Sequence, residues 1–249
     1  IRDTVNLNID GSFFWRVSLI DAQDIIASSD TFKFSIRSIL SFNGMNLHFI
    51  ADSASNQKNS KVDSWYNLVD TSIQAVQLNS TAQPVFIDSI SELNNKGILR
   101  FDGNDFFAID SSANIAEWFC VFNWNGGSTF NNFNGLISTQ NSAYVLIASG
   151  SGTTSFLNVG SNNILDINEV TTLDASPLID YKLLNLRSSG NPSFYSDLYI
   201  GKDRQISNRN WQGDIAEIMS FSSVLSSEER NVVKEYLCNR YSSEFSLGE

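Results

Sequence analysis

The sequence predicts an all-β protein: a two-sheet antiparallel β-sandwich with a C-terminal helix packed on it. Three observations predict it. Short alternating or apolar runs recur along the chain with turn signals between them, the spacing of a two-sheet sandwich. Trp118–Trp124 carries aromatic residues at both parities, which suits a central strand covered on both faces. Ser226-Ser227-Glu228-Glu229 has the form of a capping box opening a helix, with Ser226 as N-cap and Glu229 at the third helical position.

The elements follow in order. Val5–Val17 and Thr31–Phe42 alternate like strands, with Leu19–Ser29 between them. They make an N-terminal extension over residues 1–44, which could add strands to the sandwich or dock on a partner chain by strand addition. The sandwich itself is expected over 45–243, with a tail at 244–249. Gly97–Asp110 reads as a hairpin: Ile98–Phe101, the turn Asp102-Gly103-Asn104-Asp105, then Phe106–Ile109. Asp-Gly and Asn-Asp supply the positive φ that such a turn needs. Tyr144–Ala148, Phe156–Val159, Leu183–Arg187, Leu198–Ile200 and Asp214–Phe221 read as further strands, and Gln74–Gln83 and Asn162–Thr172 as longer connections. After the capping box, Val233, Tyr236, Leu237 and Arg240 fall at i, i+3, i+4 and i+7. That stripe predicts an amphipathic helix of about four turns lying on the sandwich.

Composition narrows the function classes. Charged residues are 17% of the 249, against roughly 25% in ordinary soluble domains, while 42% are hydrophobic and 18 are Phe. The polar surface must then come from Asn, Ser, Thr, Gln and Asp, a common look among extracellular and virion β proteins. The net charge of -11 repels nucleic acid and anionic membrane surfaces. No apolar run approaches the ~20 residues that span a bilayer, so no membrane insertion is expected. Cys120 and Cys238 read as two free thiols, with a disulfide between them as the alternative. The chain starts at Ile1 rather than Met, and Ile1–Asp10 shows no signal-peptide pattern.

Several segments together resemble a known superfamily. They are Tyr199-Ile200-Gly201, Trp211-Gln212-Gly213-Asp214-Ile215-Ala216-Glu217-Ile218, Val224-Leu225-Ser226 with Glu228-Glu229-Arg230, and Phe101-Asp102-Gly103-Asn104-Asp105. Ala51-Asp52, Ser64-Trp65-Tyr66-Asn67 and Gln83-Pro84 add weaker matches. From Leu47 to Tyr241 this order resembles the concanavalin A-like lectin/glucanase superfamily in its laminin-G-like branch. The resemblance implies a jelly-roll sandwich more firmly than any one activity, since members include lectins, adhesion domains, glucanases, carbohydrate-binding modules and phage virion proteins. Under it, Trp211 fills core space and Glu217 satisfies buried backbone or cap groups.

The expected catalytic chemistry is missing from the residues. A retaining glucanase needs two carboxylates about 5 Å apart, which the superfamily supplies as Glu-x-Asp-x-x-Glu. Here no Glu is followed two positions on by Asp. His48, the only histidine, sits in the apolar run Leu47-His48-Phe49-Ile50, and no nucleophile elbow, phosphate loop or Cys/His cluster appears. The chain is therefore read as a non-enzyme with no cofactor. Calcium stays open through Asp52, Asp63, Asp102 and Asp105, oxygen ligands in loop-like places; turn chemistry accounts for the same aspartates.

Binding candidates lie in two loops. Trp124-Asn125-Gly126-Gly127-Ser128-Thr129-Phe130-Asn131-Asn132-Phe133-Asn134 combines aromatic faces with amides, the pairing that reads apolar sugar faces and hydroxyls. Its alternative is a polar hairpin with the phenylalanines tucked inward. Lys202–Asn210 sets Arg204 and Arg209 beside Asn208 in an otherwise acidic protein; it could clasp an acidic sugar or a neighbouring subunit. Trp124, Asn125, Phe130, Asn131, Asn132, Arg204, Asn208 and Arg209 are thus the glycan- or partner-binding candidates. The function expected is a non-catalytic structural or adhesion protein of an extracellular or virion surface, such as a phage decoration, fibre or receptor-binding protein. Its expected partners are other subunits of an assembly and a cell-surface glycan. The alternatives are a glycan-binding module of a bacterial extracellular protein and, behind it, a glycoside hydrolase with an atypical site.

Overall fold

The computed structural model describes residues 11–15, 18–20, 25–28, 32–36, 42–54, 60–111, 113–140, 145–157, 163–190, 193–195, 197–242 and 245. Tyr144, the last two residues of the Phe156–Val159 run, the stretch before Gly11 and all of the 244–249 tail except Phe245 lie outside them. The chain divides into two compact units, Ile1–Asn43 and Gly44–Glu249.

In the first unit β1 (Gly11–Trp15), β2 (Ser18–Ile20), β3 (Ile25–Ser28) and β4 (Phe32–Ile36) form two antiparallel ladders, β1 with β4 and β2 with β3. The second ladder is nested inside the first in sequence. Leu19–Ser29, expected as a spacer between strands, therefore holds a ladder of its own.

The second unit is a two-sheet antiparallel β-sandwich with one C-terminal helix. Its strands are β5 (Met45–Ile50), β6 (Ser64–Tyr66), β7 (Gln74–Val76), β8 (Val85–Ile90), β9 (Lys96–Asp102), β10 (Phe107–Ile109), β11 (Ala113–Ile115) and β12 (Glu117–Phe122). There follow β13 (Gly135–Thr139), β14 (Val145–Ala148), β15 (Asn163–Ile167), β16 (Val170–Thr171), β17 (Lys182–Ser188), β18 (Ser193–Tyr195), β19 (Leu198–Ile200) and β20 (Gln212–Phe221). The smaller sheet runs β14-β13-β19-β10-β7-β6 and the larger β16-β15-β17-β12-β20-β9-β8, with β5 also on β20. A short β11–β18 ladder stands apart. The ten residues of β20 reach past two partners on one edge, β9 opposite its first half and β5 opposite its second.

Alternation fixes which side chains enter the core. Leu99 and Phe101 of β9, Cys120 and Phe122 of β12, and Leu184 and Leu186 of β17 meet Phe107, Ile109, Ile137, Leu198 and Ile200 of the smaller sheet. A bulge at Val121/Phe122 shifts the register against β20, so Ile218 faces Cys120 but Ile215 faces Phe122. Both isoleucines are in the core although three residues apart. The bulge thereby leaves Asp214 and Glu217 on the opposite face.

Three expectations change. The Gly97–Asp110 hairpin does not form: β9 pairs with β8 and β20, while β10 pairs with β7 and β19 in the other sheet. The turn chemistry is as expected, with Gly103 at φ 96°, but the turn carries the chain between sheets. Phe101 and Phe107 then meet edge-to-face across the core, centroids 6.2 Å apart. Asn162–Thr172 is not a plain connection, because Asn163–Ile167 adds to β17 and buries Leu165 and Ile167. Gln74–Gln83 likewise opens with β7 and continues through a 3₁₀ turn at Ser80–Ala82.

Helix α1 (Ser227–Arg240) starts where the capping box placed it. Ser226 Oγ accepts from the Glu229 N–H at 3.2 Å, and Glu229 Oε2 accepts from the Ser226 N–H at 3.0 Å; such caps contribute about 1 kcal/mol. Val233 and Leu237 are buried. Phe119, Met219 and Phe221, on the face of the large sheet away from the smaller one, are buried with them. Cys120 and Cys238 are both free thiols. Among the described residues no helix is long and apolar enough to cross a membrane.

Candidate functional site

The helix-bearing face of the large sheet carries the most developed polar site. Its anchor is Asp214, turned outward by the β20 bulge and directly opposite Arg100 in the β9 register. Arg100 Nε and Nη2 donate to the two Asp214 oxygens at 2.8 and 2.9 Å, a bidentate pair. Tyr181 OH donates to Asp214 Oδ2 at 2.5 Å. The Asp214 N–H donates to Asn123 Oδ1 at 2.8 Å, and Asn123 Nδ2 donates to Ile179 O at 3.2 Å and Asn125 Oδ1 at 3.3 Å. These groups line a cleft of about 460 Å³ that also takes in Ile90, Glu92, Asp180 and Phe245.

The electrostatics of the cleft follow from this wiring. Hydrogen bonding to Asp214 holds the Arg100 guanidinium above its ordinary value, and burial pushes the Tyr181 phenol up. Tyr181 therefore stays a neutral donor. Two of Arg100's five N–H groups are spent on Asp214. Asn125, Ile179 and Asp180 are exposed at the rim. With Arg100 and Asp214 neutralising each other, Glu92 and Asp180 leave the cleft net negative. It offers fork-like donors, an amide and a carboxylate beside aliphatic walls, a set suited to a hydroxyl-rich ligand.

The buried carboxylates show one repeated motif. Among the described residues six are buried: Asp105, Glu117, Asp166, Asp203, Asp214 and Glu217. Five face an arginine. Arg230 Nε donates to Glu117 Oε1 at 2.7 Å, Arg187 to Asp166, Arg204 and Arg209 to Asp203, and Arg100 to Asp214. Arg240 Nε lies 3.3 Å from Glu217 Oε2, within ion-pair range but without hydrogen-bond alignment. Glu217 is satisfied instead by side chains: Tyr241 OH donates to Oε2 at 2.6 Å and His48 Nε2 lies 2.7 Å from Oε1. It staples the end of α1 to β20 and β5, rather than serving backbone or cap groups as the resemblance implies. Glu117 staples the start, accepting also from the Leu225 N–H at 2.8 Å. Asp105 alone of the six has no arginine on it.

The calcium candidates do not assemble. Asp52 Oδ1 accepts from the Gly97 N–H at 2.8 Å and Oδ2 pairs with Arg240 Nη2 at 2.7 Å. Asp102 Oδ1 accepts from the Asn104 N–H at 2.8 Å, ordinary turn chemistry. Among the described residues no three His, Cys, Asp or Glu converge as a metal site, so Asp52, Asp63, Asp102 and Asp105 form no common cage.

The two candidate loops need a correction and bring a gain. Trp124 and Phe130 are 0% exposed, so neither offers a ring to a sugar. Both pack on Trp211, with centroids 5.1 and 5.9 Å away, because the inward parity of Trp118, Cys120 and Phe122 carries on to Trp124. Gly213 permits this closeness: a Cβ there would meet Asn123 O at 2.2 Å and Trp124 Cα at 2.9 Å. Asn125, Asn131, Asn132 and Asn208 are exposed, and Arg204 and Arg209 half-buried. Asn125 belongs to the cleft. The others come together, for Asn132 Nδ2 donates to Asn208 O at 3.2 Å, and the Gly135 N–H to Arg209 O at 2.9 Å. Sequence reading missed Arg100, Asn123, Tyr181 and Asp214; only the β9–β20 register places Arg100 opposite Asp214. No protein-family model matches the chain, and no curated protein is similar to it.

Proposed function

We propose that this is a non-catalytic adhesion or structural protein of an extracellular or virion surface, whose lectin-like sandwich holds a hydroxyl-rich saccharide in the Arg100–Asp214 cleft. The observation that carries the reading is the clamping of buried carboxylates by arginine. Glycoside hydrolysis by the usual route needs two carboxylates, one of them free to exchange a proton or attack the sugar. In the cleft the buried carboxylate has Arg100 on both oxygens and Tyr181 on one, an arrangement that fixes geometry instead of moving protons.

The first unit favours an assembly over a free-standing glycan-binding module. Its described strands pair only in two-stranded ladders, with Phe13 opposite Phe34 and Trp15 opposite Phe32. A two-stranded ladder is marginal by itself in water, and its edges, unpaired among the described residues, are open to strand addition by another subunit.

The test is oligosaccharide binding by the full chain, followed calorimetrically beside a reducing-sugar assay. Saturable binding without sugar release is expected, weakened by Asn125→Ala and Tyr181→Phe. Release of reducing sugar that disappears in Asp214→Asn would overturn the non-catalytic reading. Binding that both cleft variants leave untouched would remove the cleft as its site.

A further inference from the structure

The joined loops at residues 131–134 and 202–210 hold an excess of positive charge in a protein of net charge -11. Asp203 is buried, and two arginines converge on it: Arg204 Nε and Nη2 at 2.7 and 3.0 Å, and Arg209 Nη1 at 3.0 Å. Lys202, next in the chain, lies over the rings of Phe106 and Tyr199 at 4.2 and 5.1 Å. Two arginines thus share one carboxylate, and Lys202 adds a third cation that stands over the rings instead.

The guanidiniums are positioned and not exhausted. Arg209 lies over the Phe133 ring, 4.7 Å from its centroid, which orients its plane. One of its five N–H groups goes to Asp203, and two of Arg204's five do. Both side chains keep about a quarter of their surface in solvent, 26% for Arg204 and 25% for Arg209. The backbone around them is held in an uncommon form: Phe133, Arg204 and Asn208 have φ of 52°, 51° and 60°. For Phe133 and Arg204 this costs free energy, and such strain gathers at working sites. The Arg204 N–H is anchored on Ser138 Oγ at 2.8 Å, and Asn134 Nδ2 donates to Asn210 O at 2.6 Å.

We infer that this loop pair is a second binding site, distinct from the cleft, that takes the carboxylate of an acidic saccharide such as a uronic acid. The spare N–H groups of Arg204 and Arg209 match a carboxylate's two oxygens, and the exposed amides of Asn131, Asn132 and Asn208 stand where ring hydroxyls would be read. The cleft carries the opposite charge, so the two sites select different sugars. This site does not depend on the cleft binding anything.

The test uses the full chain, labelled with ¹⁵N and titrated separately with sodium D-glucuronate, D-glucose and inorganic sulfate. Glucuronate is expected to shift the Arg204 and Arg209 Nε–H and the Asn132 and Asn208 side-chain amides saturably, and glucose to leave them in place. Sulfate is expected to move the guanidinium signals alone. Arg209→Gln should weaken glucuronate by about tenfold, the order expected for a lost charge-assisted bond. Ser207→Asp, an exposed substitution that sets an anion in the loop, should weaken it as well, and it covers the case in which Arg209→Gln does not fold. Equal shifts with glucose, asparagine shifts with sulfate as large as with glucuronate, or unchanged affinity in a folded variant would each overturn the inference. The Asn125 amide, read in the same spectra, reports the cleft separately.

Discussion

Replacing Asp105 by asparagine tests the one buried carboxylate among the described residues that no arginine serves. Asp105 is 2% exposed at the turn between β9 and β10. Its Oδ2 accepts from the Asp102 N–H at 2.9 Å, while Oδ1 is buried without a hydrogen-bond partner. Desolvation pushes its carboxyl up from 3.8 to about 7, with the Asp102 charge adding to it and the Asp102 N–H opposing it. The sign follows from proton counting. Between pH 3.8 and about 7 the folded protein keeps this proton and the unfolded chain has lost it. Stability is therefore greatest below 3.8, falls as pH rises through the window, and levels off above about 7. At 1.36 kcal/mol per pH unit the full loss is about 4 kcal/mol. Asp105→Asn stays neutral throughout, and its amide oxygen can still accept from Asp102. Urea unfolding at a series of pH values from 4 to 8, followed by tryptophan fluorescence, should show the variant gaining on the wild type by about that amount. A wild-type minus variant difference that is flat across the window would refute the reasoning.

Two further outcomes are expected. Arg230→Ala strands Glu117 in the interior beneath the helix, and removing one partner of a buried pair costs about 3–5 kcal/mol; equilibrium denaturation checks it, and a loss under 1 kcal/mol would mean that Glu117 relaxes to water. Trp124→Ala opens the aromatic cluster around Trp211 and should cost about 3–5 kcal/mol while leaving saccharide affinity at the cleft within error in the folded fraction, so a stable variant that has lost binding would restore Trp124 as a contact residue.

Much of the fold was legible because its signals are local. The capping box at Ser226 and Glu229, the both-face aromatic pattern of Trp118–Trp124 and the long run up to Phe221 all describe chain segments by themselves, and each formed as read. The Asp102–Asp105 turn was legible as a turn but not as a passage between sheets, since turn residues fix backbone angles and say nothing about which strands pair. The candidate loops fared similarly. Their composition marks Arg204, Arg209 and the asparagines. The burial of Phe130 agrees with the inward-tucked hairpin given as the alternative, while Trp124 as a binding ring does not hold, because a loop rich in Gly and Asn carries no sign of which aromatics its neighbours will bury.

The sequence by itself determined the class of fold, the placement of the helix and the acidic surface, because periodicity, capping and charge act within a few residues of one another. Tertiary structure alone decided the sites. Arg100 meets Asp214 across 114 positions, Glu117 meets Arg230 across 113, and Asn132 meets Asn208 across 76. Such pairs depend on strand register, on the one-residue bulge in β20 and on which turns cross between sheets, and no local pattern encodes a register between segments so far apart.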